Sequence, residues 1–148
     1  MMKRCEQLLK LSREHNESIV MANKIARIAE NGADAELVEG VELLKKYNET
    51  DLEAHLQHEE RTIFAPLIQQ HQEHTELCIT LGKEHGLMRT IVEKITFETA
   101  RKDLADFAYV LKKHSLMEEN ELFPIIESVF TKEQLDGVLN FEPWLPLH

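Results

Sequence analysis

Apolar residues recur at spacings of three and four along most of this chain, the period of helices that bury one face. The first stripe runs through Leu11, His15, Ala22, Ile25 and Ala29. Ser12 is placed to cap its start and Asn31-Gly32 to end it. A second stripe follows Asp34, a candidate cap, and passes through Val41, Leu44, Asn48, Leu52, His55, Glu59 and Ile63. Gly40 and the polar run Asn48 to Asp51 are places where that helix can break, and Pro66 kinks or ends it. Beyond the polar connection Gln69 to His74 comes the cleanest pattern: Leu77 or Cys78, Leu81, His85, Met88, Val92 and Ile95. After Thr96 to Thr99 the fourth stripe carries Leu104, Phe107, Leu111, His114, Glu118, Leu122 and Ile125. Thr131 and Gln134 form a capping-box pattern that opens a short fifth helix. The tail, residues 141–148, holds Trp144 between two prolines and reads as an extended strap. The pattern predicts an all-α protein, an up-down-up-down four-helix bundle with a short fifth C-terminal helix, in a single domain spanning 1–148.

Composition agrees with this and narrows the partners. Five glycines and four prolines in 148 residues favour helices throughout. A formal net charge of -10 argues against nucleic acid and against anionic membrane surfaces. No apolar run is long enough to span a membrane, and the N-terminus lacks the apolar stretch of a signal peptide. Cys5 and Cys78 are lone cysteines without metal-type spacing, which points to a reduced, cytoplasmic protein without a disulfide frame.

The stripes contain residues that do not belong in an apolar core. His55 to Pro66 reads HLQHEERTIFAP and His114 to Pro124 reads HSLMEENELFP. Each copy has a His, a Glu four residues on, a second Glu beside it, a Phe nine residues after the His, and then a Pro. Residues four apart share a helix face, so His and Glu can point at one target. A lone His also precedes each copy, in Arg13-Glu14-His15 and in Lys83-Glu84-His85, so the chain is internally duplicated. One His-x3-Glu pair is weak evidence, and a single helical His is most often a satisfied core residue. Here four imidazoles and two carboxylates lie on the stripes themselves, and burying them without partners would cost several kcal/mol, roughly. His15, His55, Glu59, His85, His114 and Glu118 are therefore the candidate metal ligands; the competing reading is a buried His–Glu hydrogen-bond network. Glu60 and Glu119 lie about 100° off the stripe and are expected to face solvent. His58, close enough to His55 to support it from behind, and His71 and His74, spaced as an H-x2-H pair that can bind metal, are likewise expected at the surface. Imidazole with carboxylate suits iron, zinc or manganese.

These motifs, LSREH, HLQHEERTIFAP, KEHGLMR and HSLMEENELFP, resemble those of the hemerythrin-like (HHE cation-binding) domains from about Leu11 to Phe130. The resemblance implies two iron ions bridged by an oxo or hydroxo group and held by the six residues above. It also departs from the oxygen-carrying members, which place two histidines one turn apart on the third helix. Here the positions one turn from His85 are Leu81 and Arg89. Gly82 and Gly86 flank His85, for close helix packing or, less simply, for an access channel.

The resulting expectation is a di-iron protein that binds or senses a small diatomic ligand, dioxygen or nitric oxide. No further acid, base or nucleophile stands out on the stripes, which favours binding over catalysis and leaves the enzyme question open. The alternatives are a di-iron oxidoreductase of peroxidase, NO-handling or iron-repair type, and a zinc-binding structural domain. A homodimer is compatible with such a bundle.

Overall fold

The computed structural model describes residues 4–142. After a single 3-10 turn, Glu6–Leu8, α1 spans Leu9–Asn31. The next helix, α2, runs without a break over residues 34–70, as α-segments Asp34–Tyr47, Glu53–Glu59 and Ala65–Gln70 joined by π turns at Asn48–Leu52 and Glu60–Phe64. Following a 3-10 turn at Gln72–His74, α3 spans Thr75–Lys94. Helix α4 covers residues 100–129, with Ala100–Met117 and Phe123–Val129 joined by a π turn at Glu118–Leu122. The short α5 is Lys132–Leu139, capped as the sequence indicates by Thr131 and Gln134. The described residues are thus an all-α bundle of four long helices and a short fifth.

Several details differ from the sequence reading, each for a local reason. Helix α1 starts at Leu9, so Ser12 lies inside it, and Asp34 is the first residue of α2 with Ala33 as its cap. The Ala33 N–H is satisfied instead by the Glu36 carboxylate at 3.1 Å. Gly40 does not break α2. An added Cβ there would lie 2.9 Å from both Ile28 Cγ2 and Leu104 Cδ1, so glycine permits α2 to approach α1 and α4. Nor does the polar run break the helix: it widens into a π turn, which takes in one extra residue per turn. Pro66 does not end α2 either: it lies just past the π turn Glu60–Phe64, and the helix continues to Gln70. The third π turn has a further effect, since it advances the buried register on α4 from Ile125, half-buried, to Ile126, fully buried.

Two apolar clusters fill the bundle. One, with Ile25, Leu44, Met88, Leu104 and Phe107, occupies the end bearing the α1–α2 and α3–α4 links. The other, with Leu11, Ile63, Leu81, Leu122, Phe123 and Val138, occupies the opposite end beneath α5. Along every long helix the candidate ligands fall between a residue of one cluster and a residue of the other. The polar layer is therefore sealed at both ends by side chains whose burial stabilises by roughly 1.5–3 kcal/mol each.

Gly82 and Gly86 do not serve close packing, because a Cβ at either position would meet nothing within 4 Å. Gly86→Ala is expected to raise stability by about 1 kcal/mol through helix propensity and a less flexible unfolded chain. The midpoint of urea denaturation reads this directly, and a lowered midpoint would show that Gly86 has another role.

Candidate metal centre

Six buried side chains from four helices converge between the two apolar clusters. They are His15 from α1, His55 and Glu59 from α2, His85 from α3, and His114 and Glu118 from α4, each at most 6 % exposed. They form two groups whose donor atoms all lie within 4.8 Å of one another: His15, His55, Glu59 and Glu118, and Glu59, His85, His114 and Glu118. Both carboxylates belong to both groups. Glu59 turns Oε2 toward His15 and His55, at 3.1 Å from each Nε2, and Oε1 toward His85 at 3.1 Å. Glu118 reaches His15 Nε2 at 2.8 Å through Oε1 and His114 Nε2 at 3.1 Å through Oε2.

The other ring nitrogen of each histidine donates to a separate carboxylate. His15 Nδ1 donates to Glu119 (2.9 Å), His55 Nδ1 to Glu14 (2.7 Å), His85 Nδ1 to Glu60 (2.7 Å) and His114 Nδ1 to Glu84 (2.9 Å). Each of these outer carboxylates has a cation behind it: Arg4 with Glu119, Lys10 with Glu14, Arg89 with Glu60, and Lys113 with Glu84. An ionised carboxylate only accepts, so it fixes the proton on Nδ1 and leaves the Nε2 lone pair facing inward.

That arrangement suits a cation. Four Nε2 atoms and two carboxylates face one another in the buried centre, and His85 Nε2 lies only 3.0 Å from His114 Nε2. Inward lone pairs at that separation repel unless a proton or a metal ion lies between them. Glu118 Oε2, though near His114, is off the direction a hydrogen bond requires and has no hydrogen-bond partner. The electrostatics point the same way. Burial opposes charge on His15, but the carboxylates of Glu118, Glu119 and Glu59 outweigh it and hold its pKa well above the ordinary value. Burial also opposes charge on His55, yet Glu59 and Glu14 raise its pKa to about 9. At His114 burial is likewise overcome, mainly by Glu118. Against its own burial Glu59 is held well below the usual carboxylate range, chiefly by His55, His114 and His15. The site attracts positive charge, and its nitrogen and oxygen donors suit a borderline or hard cation.

The six residues singled out on the stripes are the six brought together. Their neighbours behave otherwise than expected. Glu60 and Glu119 are half-buried rather than free in solvent: a residue 100° off the core stripe points into the seam between adjacent helices, where a histidine of the next helix lies. Burial opposes the charge on Glu60, but His85 and Arg89 bring its pKa down to about 2. Ser12, inside α1, joins His15 in keeping Glu119 ionised. His58 is buried at 2 % exposure, donates from Nε2 to the Val138 carbonyl at 2.6 Å and stacks on Phe141 at 5.2 Å. It therefore ties α2 to the chain end, and burial lowers its pKa. Trp144 and the rest of the expected strap lie outside the described residues. His71 and His74 are half-buried, each beside Glu73 at 3.6 and 3.7 Å, and stand apart from the cluster.

The repeated phenylalanines also acquire a role. Phe64 packs on the His85 ring at 5.1 Å and Phe123 on the His15 ring at 5.0 Å, each motif thus walling in the lone histidine of the other half. Arg89, one turn past His85, puts its guanidinium on Glu53 (2.8 Å from Nε and from Nη2) and on Glu60 (2.7 and 3.1 Å). Leu81 is fully buried apolar surface, so neither neighbour of His85 supplies a fifth imidazole.

Among known proteins, the family model described as the hemerythrin HHE cation binding domain matches residues 8–126. Searches of the curated proteins and of the solved structures each return no match. The match spans the first turn of the bundle through the last segment of α4 and takes in every residue of the cluster. This chain belongs to the hemerythrin HHE cation-binding domain family.

Proposed function

We propose that the chain holds a pair of iron ions and binds dioxygen or nitric oxide at that pair. The observation that carries this reading is the sharing of Glu59 and Glu118 by both four-residue groups, which supports two cation positions side by side rather than one. When bound, iron in this setting would supply an exchangeable coordination position and the electrons for a diatomic ligand.

The chain's own residues do the rest. His15 and His55 serve one position and His85 and His114 the other, each aimed by its outer carboxylate. Leu11, Leu81, Leu122 and Phe123, all fully buried, keep water from one side, and Met88 and Leu111 from the other. The ligand must be small, because every donor is enclosed. The wide grooves on the surface, such as the one of about 650 Å³ between Ala22, Ala29, Arg101 and Tyr109, open elsewhere, along α1 and α4. No helix among the described residues is long and apolar enough to cross a membrane.

Metal analysis of protein purified without added metal tests the reading: about two iron ions per chain are expected. Exposing the reduced protein to dioxygen or nitric oxide should then give a reversible change in its visible absorption. Stoichiometric zinc with no response to either gas would sink the reading in favour of a structural site, and steady consumption of peroxide would replace it with an oxidoreductase.

A further inference from the structure

The four outer carboxylates are of two kinds. Glu14 and Glu84 directly precede the lone histidines His15 and His85, and each holds a histidine of its own half, His55 and His114 respectively. Glu60 and Glu119 directly follow the shared carboxylates, and each crosses to the other half: Glu60 to His85, Glu119 to His15. One short stretch of backbone therefore serves both cation positions. Glu59 Oε2 faces His15 and His55, while the next residue fixes His85. The stretch from Glu118 to Glu119 is its mirror, with Oε2 of Glu118 toward His114 and Glu119 on His15.

Both stretches sit at the opening of a π turn, Glu60–Phe64 and Glu118–Leu122. Neighbouring residues on a helix share a backbone, so drawing Glu59 onto a cation would also move Glu60 and the imidazole it holds. The crossing link through Glu60 is the stiffer, since Arg89 grips it with two nitrogens and is itself anchored on Glu53. By contrast, Glu14 and Glu84 each answer to one lysine, at 3.5 and 3.6 Å.

We propose that Glu60 and Glu119 are positioning residues that couple the filling of the two metal positions, so that the first cation orders the ligands of the second. This rests on the metal-pair reading above. It assigns different tasks to carboxylates that look alike: Glu14 and Glu84 aim a ligand within one position, and Glu60 and Glu119 transmit between positions.

The full chain, stripped by chelation, is titrated with zinc against a chromophoric chelator. The unaltered protein should take up two ions in one steep step. Glu60→Gln keeps size and an acceptor oxygen, but its amide can also present N–H to the ring and no longer dictates the tautomer. It should split uptake into two steps, the second weakened roughly tenfold to a hundredfold. Glu84→Gln should weaken binding while keeping a single step. Arg89→Lys, which keeps the charge but loses the fork and touches no ligand, should split uptake partially. It also decides the matter if Glu60→Gln loses its helical circular dichroism. Two ions taken up in one step by every variant, or in two separate steps by the unaltered protein, would overturn the coupling while leaving the metal pair intact. No zinc taken up by the unaltered protein would overturn both.

Discussion

Glu59→Gln is expected to abolish binding of both metal ions, whereas His114→Ala should leave about one per chain. The difference follows from how the cluster is shared. His114 belongs to one four-residue group, but Glu59 belongs to both, with one oxygen toward His15 and His55 and the other toward His85. Replacing the carboxylate by an amide removes a negative charge from a space where four imidazoles converge, and it puts an N–H where a cation should sit. Removing one partner of a buried charged group commonly costs about 3–5 kcal/mol. A lowered melting temperature should therefore accompany the loss, with Gln limiting the damage by preserving volume. Elemental analysis after dialysis, with helicity checked on the same sample, reads both effects. A variant that keeps one tightly bound ion would show that Glu59 serves a single position, and the paired centre would have to be redrawn.

How much of this was legible in the sequence depends on which physical signal each residue leaves. The helices and their order were plain, because a period of three and four over long segments admits few other structures. The six cluster residues were legible for a related reason: a His or Glu on an apolar stripe is conspicuous, and the duplication repeats the anomaly. What the stripe hides is everything beside it. Glu60 and Glu119 read as solvent-facing because rotation about one helix says nothing of where the next helix lies. Glu14 and Glu84 left a trace only as members of the repeated Glu-His pairs, which mark the duplication and name no partner; each reaches the histidine of the following helix. The polar run Asn48 to Asp51 marks the first π turn, but those at Glu60–Phe64 and Glu118–Leu122 left no trace that residue propensity reports, and with the last went the shift from Ile125 to Ile126. His58 was misjudged because its burial comes from α5 and Phe141, which fold back from the far end of the chain.

Stability of the chelated protein should fall as pH rises from about 6.5 to about 9, while that of the metal-loaded protein should not. The folded-state pKa of His55 lies at about 9 against an ordinary value of 6.5. A group raised in this way contributes stability that is fully present below the unfolded value and is lost as pH climbs through the folded one. For His55 alone the loss is on the order of 3 kcal/mol across that window. His15, His85 and His114, all raised by buried or half-buried carboxylates, add to it in the same direction. Glu60 acts at the other end: with a pKa brought down to about 2 from 4.5, its contribution is present above 4.5 and disappears as pH falls toward 2. Metal reverses the upper slope, because a cation needs neutral imidazoles and ionised carboxylates, and binding it releases the protons the histidines would otherwise hold. Thermal melts of chelated and loaded protein across pH 6 to 9 should therefore diverge, the gap widening as pH rises, and proton release on metal addition should be measurable in weakly buffered solution. Parallel curves would mean that protons and metal do not compete for the same nitrogens, and would remove the six residues from the role given to them here.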